Sequence, residues 1–469
     1  MRATTGSPSS VAGLDLYLDR PGGRVRDGVM EAIRDAIRSG RLVPGNQLPS
    51  SRTLAADLGV ARNTVARAYA ELTAEGWLTS QHGSGTLVAQ RAAAVRSVAS
   101  PRTRPAQRQL DHDLRPGHPD LSSFPRTEWS RAVKRALNAA PFEAFGYADP
   151  DGRPELRSAL AEYLARARGV RARPGNVIIC SGAAEGLNLV ARALAEAGVA
   201  AVAVEAFGLD TQRASLVRAG LRCPPMTVDD HGADVLALDD MSEVGAVLLT
   251  PSHQFPLGVS LHSSRRAAVV DWARRTGGLI IEDDYDGEFR YDRSPVGALQ
   301  GIDPEHVVYM GTASKSLAPG LRLGWLVLPD RLVNAVGRQR GLREETSGFV
   351  DQLAMAEFIM SGSYDRHIRT MRAQYRRRRE EVVAAVGRAS PTTTVAGMPA
   401  GLQVLLELSG SDESVLCGQR AWRRLGVEGL DLFRHPEDDS KRNGLVIGFA
   451  APAPSAWSAA LDALVQLLP

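Results

Sequence analysis

The chain has 469 residues, of which 44% are hydrophobic and 23% charged, and carries a net charge of +3. That length allows more than one domain around at least one large core, and the composition excludes a disordered chain. No run approaches the ~20 apolar residues needed to cross a bilayer, and Met1–Ser10 is polar with no apolar signal core, so neither membrane insertion nor export is expected.

Charge is unevenly spread. Met1–Gln90 holds 10 arginines against 8 acidic residues, and Arg91–Gln109 adds five arginines (91, 96, 102, 104 and 108) with no acid, so the remainder is slightly acidic. A basic front on an acidic body suggests a nucleic-acid-facing part attached to a part with another task. The cysteines, Cys180, Cys223 and Cys417, are too far apart for a disulfide framework or a zinc site. They read as reduced thiols in a cytoplasmic protein, and no metal site is expected.

In chain order, the first element is an amphipathic helix over Arg24–Ser39, with Val25, Val29, Ile33 and Ile37 spaced by four. A turn-rich link leads to a second helix over Leu48–Gly59, with start signals at Pro49 and Ser50 and a stop at Gly59. A third helix covers Ala61–Glu75, where Val65, Ala68, Tyr69 and Leu72 form the core stripe. Trp77–Val88 alternates apolar and polar residues around Gly83-Ser-Gly85, the pattern of a hairpin.

Three helices followed by a hairpin make a winged helix-turn-helix, whose third helix enters the major groove by its N-terminus. Residues 39–89, SGRLVPGNQLPSSRTLAADLGVARNTVARAYAELTAEGWLTSQHGSGTLVA, resemble the DNA-binding domain of GntR-family regulators along their whole length. The resemblance implies DNA contacts at Ser51, Arg52, Arg62, Asn63, Thr64 and Arg67, and at the wing residues His82, Gly83 and Ser84. The domain is placed at 12–90. Residues 91–112 are read as a flexible basic linker, whose arginines either touch phosphates or are simply solvated.

From Leu114 onward apolar strands alternate with helices, which indicates an α/β domain with a mostly parallel sheet, placed at 113–469. Ligands in such sheets sit beyond the carboxyl ends of the strands, and each candidate motif lies at one of those ends. Val177–Cys180 runs into Ser181-Gly182-Ala183-Ala184 and then a helix, whose free N–H groups suit a phosphate. Val244–Leu249 runs into a turn where His253 or Gln254 can reach a cofactor hydroxyl. Gly278–Ile281 leads into Glu282-Asp283-Asp284-Tyr285. A buried carboxylate there needs a cationic partner, and a protonated pyridine nitrogen is one. Asp283 is assigned to it, with Asp284 as the alternative, and Tyr285 to the ring oxygen.

The run Val307–Trp325 carries the remaining chemistry. Lys315 lies in a break of small residues between two buried strands, where loss of water lowers its pKa and makes it a nucleophile toward a carbonyl. Pyridoxal 5'-phosphate (PLP) is the natural carbonyl partner. Thr312 and Ser314 would donate to its phosphate, and Arg322 would pair with it.

TPSHQFPLG, IEDDYDGEFRYD and GTASKSLAPGLRLGW, with the winged helix ahead of them, are similar to the MocR/PdxR subfamily of GntR regulators. Members carry a fold-type I aminotransferase-like domain behind the winged helix. The implied fold is an N-terminal winged helix-turn-helix plus a C-terminal α/β fold-type I PLP-dependent aminotransferase-like domain. The resemblance implies Lys315 as the Schiff-base lysine, Asp283 on the ring nitrogen, Tyr285 on the ring oxygen and Arg322 on the phosphate. It also implies a head-to-tail homodimer in which Tyr147 reaches the partner's phosphate.

Two positions depart from the family pattern. Leu209 stands where members often place a tyrosine over the cofactor, with Phe207 the nearby ring that would compensate. The late strand Leu445–Ala450 lacks the arginine that clamps a substrate carboxylate, and Arg442 lies just outside it. Three functions compete: a PLP-responsive transcription factor binding operator DNA, a working aminotransferase with an accessory DNA-binding domain, and a regulator with a cofactor-free scaffold. The intact lysine, aspartate and arginine weigh against the scaffold. The missing clamp and the complete winged helix weigh against an efficient transaminase. PLP sensing, tied to vitamin B6 genes, ranks ahead of an amino-acid-like effector held by Arg442.

Overall fold

The computed structural model describes residues 25–81, 85–90, 110–146, 149–292, 296–340 and 347–469. The chain divides into two compact units, Met1–Gln107 and Arg108–Pro469. Residues 91–109, expected as most of a linker, lie outside the described residues. The last part of that expected linker belongs to the large unit, because the Asp111 N–H donates to the Arg424 carbonyl at 2.9 Å and the two side chains pair as ions.

The small unit contains α1 (Val25–Arg38), α2 (Ser51–Leu58), α3 (Arg62–Ala74) and the antiparallel strands β1 (Leu78–Gln81) and β2 (Gly85–Val88). Its core joins Val29, Ile33, Leu54, Val65, Tyr69, Leu72, Leu78 and Val88. Val25, expected on the apolar stripe, is 55% exposed. A four-residue step overshoots one helical turn by about 40°, so the stripe drifts off the core over three such steps. Met30 and Ala36 are buried instead. α2 starts at Ser51 rather than Leu48, because Ser50 caps it by accepting from the Thr53 N–H at 3.1 Å. Gly59 ends it at φ 65°, a conformation that suits glycine.

The large unit is built on a seven-stranded sheet. In chain order its strands are β3 (Val177–Cys180), β4 (Ala201–Glu205), β5 (Pro225–Met226), β8 (Val244–Leu249), β9 (Leu279–Asp283), β10 (Val307–Thr312) and β11 (Gly324–Val327). Between them, β6 (Val228–Asp229) and β7 (Gly232–Ala233) form a small separate hairpin. The spatial order is β3-β11-β10-β9-β8-β4-β5. Only β11 runs against its neighbours. The strands are buried on both faces, which is why they read as continuous apolar runs.

Helices α4 (Arg126–Ala139), α5 (Pro154–Arg168), α6 (Ala183–Glu196), α7 (Asp210–Arg218), α8 (Ser263–Thr276), α9 (Asp330–Arg340), α10 (Phe349–Met360) and α11 (Ser363–Ala389) accompany this sheet. A second, antiparallel sheet orders β12 (Thr393–Ala396), β13 (Gln403–Leu408), β15 (Gly444–Gly448) and β14 (Glu428–Gly429). Among the described residues no helix is long and apolar enough to cross a membrane.

One buried ion pair ties the large unit together. Arg168, at the end of α5, donates to Asp284 through Nε at 2.7 Å and Nη2 at 3.0 Å. The Tyr309 hydroxyl donates to the same carboxylate at 2.8 Å. Burial alone would raise the Asp284 pKa, but the guanidinium beside it holds the carboxyl below its ordinary value.

Candidate cofactor-binding site and nucleic-acid interface

The topology of the sheet gathers the site. β3, β4, β8, β9 and β10 run in one direction, so Gly182, Glu205, Thr250, Asp283 and Thr312 arrive at one edge. The reversed strand β11 brings its beginning, and Arg322 just before it, to the same edge. These residues line a cavity of about 280 Å³ together with Ala183, Ala184, Tyr285 and Lys315. The described cofactor-site residues expected from the sequence therefore converge, with two exceptions given below.

Lys315 sits in the turn after β10, where its Nζ donates to the Gly117 carbonyl at 2.8 Å. Burial lowers its pKa, and Asp286 and Asp283 oppose that shift. An amine so placed is a better nucleophile than a solvated lysine. Asp283 ends β9. Its Oδ2 accepts from Gln212 Nε2 at 2.6 Å, while its Oδ1 is buried with no hydrogen-bond partner among the described residues. Burial pushes this carboxyl up to about 6, against the Gln212 bond. Asp283 and Asp284 face opposite ways, as alternation along an extended chain requires. Asp284 points away and is taken up by Arg168 and Tyr309, whereas Asp283 faces the cavity.

The Tyr285 hydroxyl accepts from Gln403 Nε2 at 2.9 Å and lies 3.1 Å from His253 Nδ1. Arg322 is the one described non-glycine residue at positive φ, 52°. That conformation costs on the order of 1–2 kcal/mol. Its guanidinium lies against Gly182, where a Cβ would stand 3.6 Å from Nη1, and it has no carboxylate partner among the described residues. Gly324 allows the approach: a Cβ there would come within 2.7 Å of the Gly182 backbone. The head of α6 and Arg322 therefore offer donors and positive charge at one point.

Two expected residues lie elsewhere. Ser181 does not line the cavity, because its N–H and hydroxyl both bond the Glu185 carboxylate one turn on. Gln254 does not line it either. Its Nε2 is engaged by the carbonyls of Phe207 at 2.8 Å and Phe255 at 2.7 Å. Tyr147 lies outside the described residues. Arg442 is also away from the cavity and pairs with Glu407 at 2.6 Å. Sequence reasoning missed Gln212 and Arg213 on α7, and Gly117. The start of the helix after β4 faces the strand ends, and that position was the available signal.

The lining complements three chemical groups. The lysine matches an aldehyde, the α6 head with Arg322 a phosphate, and the partnerless Asp283 oxygen a protonated ring nitrogen.

In the small unit, Arg52, Arg62, Asn63 and Arg67 are exposed on α2 and α3, with Ser51 and Thr64 half-buried beside them. Arg26, Arg34 and Arg38 of α1 pair with acids, whereas Arg52, Arg62 and Arg67 have no carboxylate partner among the described residues. Such arginines are free for phosphates and base edges. His82, Gly83 and Ser84 lie outside the described residues. Arg62→Ala should weaken binding by roughly 1–3 kcal/mol, measured on a duplex selected from random DNA by the wild-type protein. Arg38→Ala should leave affinity unchanged, and equal losses in both variants would remove α3 from the interface.

A winged helix ahead of an aminotransferase fold defines a DNA-binding regulator with an aminotransferase-like domain. The bacterial regulatory proteins of the gntR family match residues 25–88, and aminotransferase class I and II matches residues 117–427. The chain is similar to the probable rhizopine catabolism regulatory protein MocR of Rhizobium meliloti, 32% identical over 458 residues covering 92% of each chain. It is also similar to the HTH-type pyridoxine biosynthesis transcriptional regulator PdxR of Corynebacterium glutamicum, 31% identical over 432 residues, 90% of this chain and 91% of that one. In fold it matches an archaeal alanine:glyoxylate aminotransferase, with TM-score 0.68 at 24% identity over 76% of this chain and 90% of that one. The chain belongs to the MocR/PdxR subfamily of gntR-family transcriptional regulators.

Proposed function

We propose that the large unit binds PLP and that its occupancy, alone or with an amino compound, sets the affinity of the winged helix for operator DNA. The observation that carries this reading is Asp283 Oδ1, a buried carboxylate oxygen with no hydrogen-bond partner among the described residues, on a side chain that lines the same cavity as Lys315. A protonated pyridine nitrogen supplies the missing partner, and the bound cofactor supplies an electron-withdrawing ring with an aldehyde. Lys315 holds the aldehyde, Tyr285 faces the ring oxygen, and Arg322 with the α6 head holds the phosphate. Thr312, whose hydroxyl lies 2.9 Å from that of Ser314, would join them on the phosphate.

The chain acts as a regulator rather than an efficient transaminase. β15 carries no arginine, and Arg442 is occupied by Glu407. The ligand moves DNA binding only through its different affinity for two arrangements of the protein. Those arrangements belong to a head-to-tail homodimer in the cytoplasm. The regulated genes serve vitamin B6 or amino-compound metabolism.

Asp283→Ala tests the reading. Truncating one partner of a buried charge pair should cost roughly 2–5 kcal/mol of PLP affinity, read by titration of the full-length protein. In the wild type the affinity should fall on acidification below about 6, because the empty site then holds Asp283 protonated and offers the ring no charge. Operator affinity that is the same with and without PLP would overturn the regulatory reading.

A further inference from the structure

Two buried polar side chains stand behind the cavity without lining it. His253 lies in the turn after β8 and Asp286 in the turn after β9, and each side chain is 2% exposed. His253 Nδ1 is 2.8 Å from Asp286 Oδ2 and 3.1 Å from the Tyr285 hydroxyl oxygen. An ionised carboxylate only accepts, so the hydrogen of the shorter contact belongs to Nδ1, and the Tyr285 oxygen is its second, longer acceptor. Gln403 Nε2, from β13 of the second sheet, donates to the same oxygen at 2.9 Å.

The backbone leaves one seat for this imidazole. Gly401 is at φ 72°, and a side chain there would collide with the His253 ring and come within 2.7 Å of Asp286 Oδ2. Gly258, at φ 75°, backs the other ring nitrogen, where a Cβ would stand 3.5 Å from Nε2. The Tyr285 ring is set edge-on to Phe255, with 6.1 Å between centroids. Its oxygen therefore meets two nitrogen donors, one from each side of the junction between the two sheets. Burial first, and the Asp286 charge second, hold the phenol pKa well above its ordinary value, so the hydroxyl keeps its hydrogen. That hydrogen is left for a group in the cavity, which Tyr285 lines and His253 does not.

We propose that His253, seated by Asp286, is a positioning residue: it holds the Tyr285 oxygen as an acceptor, so that the phenol hydrogen is presented to the ring oxygen of the cofactor. This rests on the PLP reading of the cavity and gives the Tyr285 bond a direction. His253, one of two residues expected from the sequence to reach a cofactor hydroxyl, does so through Tyr285.

The test uses full-length protein and two ligands, PLP and its analogue with hydrogen in place of the ring hydroxyl. The ratio of their Kd values, from fluorescence titration, isolates what the ring oxygen contributes. Tyr285→Phe should reduce the preference for PLP about tenfold, the scale of one hydrogen bond. His253→Leu should reduce it nearly as far while leaving affinity for the analogue at the wild-type value. The two substitutions together should reduce it no further, as expected for groups acting on one bond. His253→Asn, whose amide can donate from near the place of Nδ1, should restore most of the preference. A preference that Tyr285→Phe leaves unchanged means that the phenol hydrogen points elsewhere and overturns the proposal. So does a His253→Leu protein in which both ligands weaken equally. Asp286→Asn keeps the imidazole in place and should reduce the preference part of the way; no reduction there overturns the proposal even where His253→Leu does not fold. Wild-type protein that binds neither ligand overturns the PLP reading as well.

Discussion

Lys315→Ala should remove the visible absorbance that wild-type protein acquires on mixing with PLP. On the proposed reading that absorbance would report a bond from Nζ to the PLP aldehyde, and no other lysine lines the cavity among the described residues. The amine is primed for it, since burial lowers its pKa and its one hydrogen-bond partner among the described residues is the Gly117 carbonyl. The loss should also appear in stability. A ligand present at a hundred times its Kd stabilises the native state by about 2.7 kcal/mol. The alanine variant should lose most of the gain seen for wild type at the same PLP concentration, measured as a shift in urea midpoint. Lys441→Ala, remote from the cavity lining, is the control. A band that persists in Lys315→Ala would mean that another amine carries the cofactor.

The second large effect concerns folding. Arg168→Met leaves the Asp284 carboxylate buried and uncompensated, which should cost about 3–5 kcal/mol, read on the unfolding transition of the large unit. The sign of the pH dependence follows from the shift. In wild type the Asp284 pKa is depressed, so its stabilising contribution is present above the ordinary carboxyl value and is lost only at strongly acid pH. Without Arg168, burial dominates and the carboxyl takes up a proton instead. The deficit of the variant should therefore be widest near neutral pH and narrow on acidification. A deficit that does not change with pH would point to lost packing rather than lost charge.

The contrast between Asp283 and Asp284 shows where sequence reading succeeds and stops. That acids follow a buried strand was legible, and it located the site. Asp283 was preferred with Asp284 kept as the alternative, because alternation along a strand places neighbours on opposite sides without saying which side is which. The partner that settles it, Arg168, lies 116 residues away in sequence. The turn at Lys315 was legible because a cationic residue interrupting apolar runs is conspicuous. Gln254 and Ser181 were misplaced for a shared reason. A polar side chain in a turn can satisfy nearby backbone or a carboxylate one turn on, and no spacing rule separates that use from ligand binding. Gln212 and Arg213 carried no motif at all. Their relevance arises from the start of α7 standing over the strand ends.

The bond from Lys315 to Gly117 has a mechanical side. Nζ can keep donating to that carbonyl only while it remains a free amine with hydrogens to spare, so any occupant that captures Nζ competes with Gly117 for it. Gly117 belongs to the first stretch of the large unit. That stretch stays fastened further back, where the Leu114 N–H donates to the Leu425 carbonyl at 2.8 Å and the Leu114 carbonyl accepts from Gly448 at 2.8 Å. An occupant that took Nζ from Gly117 would leave that end of the stretch without this bond, while the bonds at Leu114 would remain. The opening segment of the large unit is thus tied at Gly117 by the same Nζ that is proposed to hold the cofactor.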